Sequence, residues 1–443
     1  MSNITIGLIL VGVLFALVLL GMRIAIALMV VAFAGVWIIR DNFDLSMRLM
    51  SIAAYNGVAS YLFATIPLFV LMGHLVSISN VGKDTFDVAE AGLRRLLGGL
   101  GVATVAANTV FAAVTGVSIA SAAVFTKVAV PEMTRHGYAP SFSAGTVAGS
   151  SVLGMLIPPS LLLIIYGVLA EQSIGRMFIA GLVPGALLAG GFVLWILIAA
   201  KFAPGLVFAK PEVPGAQAQQ QDRESYPQMA LPEILRKIAP IVVLVTFVLG
   251  GLYSGVFTPT EAGGVGAFAA LVIALLRRSL DLRRCWAVLQ ETGTISVGIL
   301  ALLVAAGFYS QMLAVAGIPS AIGAFVTGSG FGPVGFLVVY VLLVLLLGMI
   351  LDSSSILLIV VPIAAPIAQG LGYDLIQFGI ITVIAVEVGL LTPPFGISIF
   401  TVHATLGDRN VSLESIFAGA LPYVTVMLAV LVLIAAFPQL IIG

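Results

Sequence analysis

Charge is scarce in this chain. Only 9% of its 443 residues are charged and the formal net charge is zero, whereas 61% are hydrophobic. A soluble domain typically carries about 25% charged residues. Because the few charges balance, the composition provides no basic surface for nucleic acid. We therefore expect an all-α polytopic membrane protein embedded in the lipid bilayer, with no nucleic-acid partner.

Cysteine and catalytic motifs are equally sparse. Cys285 is the single cysteine, so no intrachain disulfide can form and the redox compartment stays open. The three histidines are scattered without metal-ligand spacing, and the chain has no GxSxG, HExxH or Walker sequence. We expect no enzyme activity, no cofactor and no transition metal. Without an ATP-binding segment, any energy must come from an ion gradient or another subunit.

Long apolar runs are present from end to end, and a polar linker at 201–236 separates them into two sets. The first run, 4–20, has no basic segment before it, so we interpret it as a retained transmembrane helix. Residues 1–200 and 237–443 are predicted to form two repeats. Each contains one run interrupted by polar residues, at about 100–131 and about 335–368.

The two sets resemble each other. Moving 118–159 by 235 residues without a gap places it on 353–394, and nine of the 42 positions match. The matches include Ser118/Ser353, Pro131/Pro366, Gly137-Tyr138/Gly372-Tyr373, Gly154/Gly389 and the pairs Pro158-Pro159/Pro393-Pro394. The gap-free register and the common order of elements indicate a duplication.

The orientation of the repeats follows if both interrupted runs are re-entrant hairpins. Each half then crosses the membrane an odd number of times, so the second half is inverted. With the N-terminus outside, 16 of the 19 basic residues lie on the cytoplasmic side, and only Arg40, Arg48 and Arg176 lie outside. This strong positive-inside bias favours inverted repeats, with the first hairpin open to the cytoplasm and the second to the outside.

Both proline pairs interrupt apolar helices. Proline removes an amide donor, and broken backbone at membrane depth survives only inside protein or beside a cavity. The freed carbonyls can coordinate a cation, and the half-helix that follows offers its N-terminal amides to an anion. Discontinuous helices within inverted repeats are typical of ion-coupled secondary transporters.

The hairpin tips carry small and hydroxyl residues that suit a sodium site. The first tip has Thr115, Gly116 and Ser118, and the second has Asp352, Ser353 and Ser354. Close helix packing by small residues is the alternative explanation. We expect each proline joint to face a tip.

Two acids, Asp352 and Glu387, lie deep in apolar sequence. An acid at mid-bilayer costs roughly 2.5–3.5 kcal/mol, so each needs a compensating partner. They are predicted at or near the second cation site, as ligand, indirect partner or proton acceptor; the alternative is a structural hydrogen bond to a helix end. The first repeat has Val117 and Val152 at the corresponding positions, so the two sites would differ in charge.

Two stretches give a family resemblance. The stretch that begins GVSIASAAVFTKVAVPEM and continues through GMLIPPSL resembles the first signature of the large membrane subunit of tripartite ATP-independent periplasmic (TRAP) transporters. The stretch VEVGLLTPPFGISIF, with IFAGALP after it, is similar to the second signature. The resemblance covers essentially the whole chain.

The resemblance implies an elevator-type fold of the ion-transporter superfamily, in which a mobile core carries both hairpins. It implies sodium-coupled uptake of an organic acid in the bacterial inner membrane, with a periplasmic N-terminus. A periplasmic solute-binding protein would deliver the substrate, and a small four-helix membrane subunit would complete the complex. Sodium would be the coupling ion.

The resemblance also implies site residues. The first sodium site would comprise Thr115, Gly116, Ser118, Ser151, Val152, Leu153 and Pro158. The second would comprise Asp352, Ser353, Ser354, Glu387, Gly389, Thr392 and Pro393. No Arg or Lys lies between Cys285 and Gly407, so the substrate carboxylate is expected on half-helix amides and on polar side chains. The candidates are Ser150, Ser151, Ser354, Tyr309 and Gln311.

Other functions stay open at this point. One is a sodium/carboxylate symporter that works without a binding protein; another, from a different class, is a channel or passive membrane scaffold. The identity of the organic acid is also open, because the binding protein would set much of the choice.

Overall fold

The described chain is helical throughout its regular elements. The computed structural model describes residues 2–209, 229–328, 330, 332–407 and 411–441. Within these ranges every regular element is a helix, and seven helices are long and apolar enough to cross a membrane. The predicted all-α class is confirmed. Much of the predicted linker, with Lys210 and Arg223, lies outside the described residues, as does Arg409 of the charge count.

The first half contains eleven helices in the described part of the chain. They are α1 (Asn3–Leu19), α2 (Ile24–Arg40), α3 (Phe43–Ala59), α4 (Thr65–Ile78), α5 (Val81–Leu93), α6 (Gly99–Thr115), α7 (Ser118–Arg135), α8 (Pro140–Ser151), α9 (Leu161–Leu169), α10 (Ile174–Phe202) and the single turn α11 (Pro204–Val207). Helices α6 and α7 form the first hairpin. The first proline joint lies between α8 and α9.

The second half follows the same order. Its helices are α12 (Leu231–Tyr253), α13 (Pro259–Leu276), α14 (Leu282–Ala316), α15 (Ile318–Gly328), α16 (Gly332–Gly348), α17 (Ser353–Gly370), α18 (Leu375–Gly389), α19 (Ile397–Leu406) and α20 (Leu413–Ala436). Helices α16 and α17 form the second hairpin, and the second joint separates α18 from α19. The continuous α14 occupies the place of α3 and α4 together.

Helix boundaries keep the register seen in the sequence. The returning hairpin arms α7 and α17 are both 18 residues long. They begin at Ser118 and Ser353, and the next helices begin at Pro140 and Leu375, so both pairs are 235 residues apart. The duplication therefore extends to the points where helices begin and end.

Packing between the halves occurs in exchanged pairs. Helix α4 packs on α13 as α14 packs on α2, α7 packs on α19 as α17 packs on α9, and α8 packs on α20 as α18 packs on α10. A two-fold relation between the halves would produce this pattern. The halves thus interlock rather than fold as separate domains. Their inverted orientation in the bilayer and the predicted domain limits stay predictions.

Ion pairs fix α5 between two helices of the second half. The Lys237 ammonium lies 2.7 Å from an Asp87 carboxylate oxygen. Arg277 pairs with Asp84, and its Nη1 also donates to the Ser79 carbonyl at 3.1 Å. All four charged side chains are at least three-quarters buried. Since α5 leads directly into the first hairpin, these pairs set the position of that hairpin's base.

Candidate functional site

The first hairpin tip lies against the first joint. Gly116 has φ +62°, and its carbonyl accepts a hydrogen bond from the Leu161 amide at 3.3 Å, at the start of α9. A Cβ added to Gly116 would lie 2.4 Å from the Pro159 carbonyl oxygen, so only glycine fits this approach. Thr115 bonds back to the Phe111 carbonyl. The tip backbone and the joint backbone therefore meet directly.

The second tip lies against the second joint in the same way. The Ser353 hydroxyl, on the first residue of α17, donates to Glu387 Oε1 at 3.1 Å. Nearby, α16 and α18 cross at Gly348 and Gly389, where a Cβ on Gly389 would lie 2.6 Å from the Gly348 Cα. The contact of backbone with backbone places the Glu387 carboxyl group beside the tip.

Glu387 is also reached from the first hairpin. The Ser118 hydroxyl, on the first residue of α7, faces the same carboxyl group. The contact is loose, since neither Ser118 Oγ nor Glu387 Oε2 completes a hydrogen bond of normal geometry. Ser118 is fully buried, and Glu387 is 2% exposed. The acid thus lies between the N-termini of α7 and α17, whose dipoles favour negative charge.

A buried polar network joins the first hairpin to α8. The Asn108 side chain, on α6, donates to Ser150 Oγ at 2.6 Å and accepts from Ser121 Oγ at 2.5 Å. Ser150 in turn donates to the Thr146 carbonyl at 2.7 Å. Asn108 is not among the site residues predicted from the sequence. Its signal is an amide within an apolar helix, which requires partners.

The second half has no such network at the corresponding positions. Leu343, Ile356 and Ala385 stand 235 residues after Asn108, Ser121 and Ser150. Conversely, Val152 stands where the second half has Glu387. The two hairpins are therefore fixed to their discontinuous helices by different chemistry, a neutral amide in one half and an acid in the other.

Several predicted site residues bond within their own segment. Asp352 caps α17: its carboxylate accepts from the Ser355 amide at 3.1 Å and from the Ser355 hydroxyl, and the residue is exposed. Thr392 donates to the Val388 carbonyl, and Ser151 donates to the Ala148 carbonyl, both at 2.7 Å. Asp352 has the helix-end hydrogen bond that the sequence offered as its alternative.

The remaining predicted residues lie at different depths. Val152, Leu153 and Pro158 are buried in the first joint, and Ser354 is half-buried at the second tip. Pro393 follows Thr392 in the second joint. Tyr309 and Gln311 lie on α14, and the Tyr309 hydroxyl and Gln311 Oε1 are buried without a hydrogen-bond partner.

Two cavities adjoin the tips. A void of about 10 Å³ lies beside Gly116 and Val117, between the first tip and α4, with room for about one water-sized particle. An open groove of about 380 Å³ lies beside Ile350 of the second tip, along α19. It is lined by Ile350, Phe395, Ile397, Phe400, Thr401 and Ala404. None of the five predicted substrate residues lines this groove.

A separate polar cluster lies at the base of the first hairpin. Ligand atoms of Glu90, Glu132 and His136 lie within 4.8 Å of one another. Burial raises the pKa of Glu90, and the Glu132 carboxylate raises it further. The sequence gave no spacing that would group these three residues. Glu132 pairs with Arg135 at 3.1 Å, so the cluster has a counter-charge of its own.

Comparisons with known proteins identify the family. The family model described as "Tripartite ATP-independent periplasmic transporter, DctM component" matches residues 11–440. The C4-dicarboxylate TRAP transporter large permease protein DctM of Pseudomonas aeruginosa is 35% identical over 397 residues, covering 89% of this chain and 88% of that protein. The sialic acid TRAP transporter large permease protein SiaM of Vibrio cholerae is 28% identical, covering 97% and 95%.

A solved structure shows the same fold. The Alcanivorax borkumensis YdaH transporter, described as having an unusual topology, superposes with a TM-score of 0.57 at 14% identity, covering 89% of each chain. At that identity the likeness concerns the fold alone. The family match over nearly the whole chain is the stronger finding: this protein belongs to the DctM family, the large permeases of tripartite ATP-independent periplasmic transporters.

Proposed function

We propose that this chain is the transport subunit for sodium-coupled uptake of an organic acid. A periplasmic solute-binding protein delivers the acid, and a small four-helix membrane subunit completes the complex. Family membership supports a three-part uptake system in the bacterial inner membrane. Relatives named for C4-dicarboxylate and sialic acid support a carboxylate substrate. The N-terminus is periplasmic in this proposal.

One observation carries the sodium coupling: Glu387 is almost completely buried, beside both hairpin tips and next to a helix break. A buried carboxylate needs a compensating charge, and hydroxyl and carbonyl oxygens are the ligands that a hard cation prefers. The first sodium site uses the Thr115–Ser118 tip and the first joint. The second uses the Ser353 hydroxyl, Glu387 and the carbonyls freed at the second joint.

The substrate carboxylate is held by amides rather than by a basic side chain. Helices α9 and α19 begin directly after the joints, so their N-terminal amides and positive dipole ends are available to an anion. Movement of both hairpins together as an elevator would carry ions and substrate across the bilayer. The interlocked packing of α7 on α19 and of α17 on α9 supports a core that moves as one body.

Uptake in proteoliposomes tests the proposal. The chain is reconstituted with its small subunit, the cognate binding protein is added outside, and the sodium gradient is varied. We expect uptake to require both sodium and the binding protein, and Ser353→Ala and Glu387→Gln to abolish or strongly reduce it. Ser143→Ala is the matched control, because Ser143 is fully buried but bonds only to the Ala139 carbonyl of its own segment.

The other outcomes are equally informative. Sodium-driven uptake without any binding protein would replace this proposal with a simple symporter. Failure to accumulate any acid against its gradient, with every partner present, would leave a channel or a passive scaffold.

A further inference from the structure

The two hairpins meet at one acidic side chain. Ser118 and Ser353 are related by the 235-residue repeat and begin the returning arms α7 and α17. Both hydroxyls face Glu387, which has only Val152 as its counterpart in the first half. Two equivalent positions from opposite halves therefore share a single carboxyl group.

The hydrogen bonds around this carboxyl group are incomplete. Ser353 donates to Oε1 at 3.1 Å, whereas Oε2 has no partner and neither does the Ser118 hydroxyl oxygen. All three residues are at most 6% exposed. Leaving buried oxygens unpaired is costly, and two adjacent acceptor oxygens are best satisfied by a cation between them.

A shared carboxylate has a consequence for the binding of two cations. A cation at the first tip attracts Glu387 Oε2 toward Ser118, and a cation at the second tip attracts Oε1 toward Ser353. Because both oxygens belong to one rigid group, binding at either tip orients the carboxylate for the other. The charge also serves both sites, since the first half has no acid of its own at this position.

We propose that Glu387 couples the two cation sites, so that sodium binds to the two hairpin tips cooperatively. This inference rests on the proposed sodium coupling and adds how the two ions communicate. Coupling of this kind is a free energy between sites, and binding at either site changes the affinity of the other by the same factor.

A double-mutant cycle measures this coupling. The variants are Ser118→Ala, Ser353→Ala and the double variant, each with Glu387 and with Glu387→Gln. The readout is binding of radioactive sodium to the complex with its small subunit, with choline as the balancing ion. Ser143→Ala is again the control. Binding reports the sites directly, so it does not depend on transport.

We expect a Hill coefficient above one for the unmodified complex and close to one for Glu387→Gln. With Glu387 present, the change in half-saturating sodium concentration in the double variant should differ from the product of the single changes by about fivefold or more, the lower end of typical coupling. In the Glu387→Gln background, the two changes should multiply. Ser143→Ala should leave both values unchanged.

The coupling is refuted if sodium binds but the two serine effects multiply with Glu387 present. In that case Glu387 serves one site only, and the proposed function stands. The serine cycle in the unmodified background is sufficient for this test even if Glu387→Gln does not fold. Absence of any sodium binding by the unmodified complex would overturn the sodium coupling and this inference together.

Discussion

Replacing Asn108 with alanine should destabilise the first hairpin more than loss of a single contact would. The change removes two buried hydrogen bonds, to Ser150 and to Ser121. The Ser150 hydroxyl keeps its bond to the Thr146 carbonyl, but the Ser121 hydroxyl loses the acceptor that it has. A buried donor without a partner costs about 1–3 kcal/mol, and a lost net hydrogen bond about 1 kcal/mol. The expected loss is about 2–4 kcal/mol.

The second half of the chain provides a matched rescue. It packs the corresponding positions with Leu343, Ile356 and Ala385. Replacing all partners of a polar contact by apolar groups of suitable shape can be nearly neutral. The triple variant Asn108→Leu, Ser121→Ile, Ser150→Ala should therefore recover much of the stability that Asn108→Ala loses.

The measurement is reversible unfolding of the purified chain in mixed micelles with increasing SDS, read by circular dichroism. A second readout is sodium-driven uptake, which Asn108→Ala should shift toward higher sodium concentrations because the first tip is held less firmly. Wild-type stability of Asn108→Ala would refute the network as a structural element. A triple variant less stable than the single one would refute the comparison between the halves.

Three further predictions concern other parts of the fold. Gly389→Ala should destabilise the chain by about 1–3 kcal/mol by overpacking against Gly348, in the same unfolding assay, and wild-type stability would show that α16 and α18 can separate freely. Asp87→Asn should cost about 1.5–3 kcal/mol because it leaves Lys237 without its charged partner; Asp87→Asn with Lys237→Met should cost less, and equal losses would contradict the pairing. Because the pKa of Glu90 is raised, the folded state binds its proton more readily than the unfolded state does, so this group destabilises the protein as pH rises above the ordinary glutamate range. Glu90→Gln should thus raise the melting temperature at neutral pH and lose that advantage in acid, and a gain independent of pH would refute burial of the Glu90 carboxylate as the cause.

The sequence by itself determined the class, the repeat and the places where helices break. Sparse charge and long apolar runs predicted a helical membrane protein, and the structure confirms this class. The proline pairs and the tip residues are local signals, since proline disrupts helical backbone wherever it lies inside a helix. The 235-residue register therefore predicted where α7 and α17 begin.

Only the tertiary structure decided which of these segments meet. The sequence placed Glu387 with the second tip, but contact with Ser118 requires the halves to interlock, and no local pattern encodes that packing. Asn108 was missed for the same reason, because its partners come from two other helices. Asp352 and Glu387 look alike in the sequence, yet one is an exposed cap and the other is buried. Burial and partner choice depend on which helix faces approach each other, and that is a property of the folded chain.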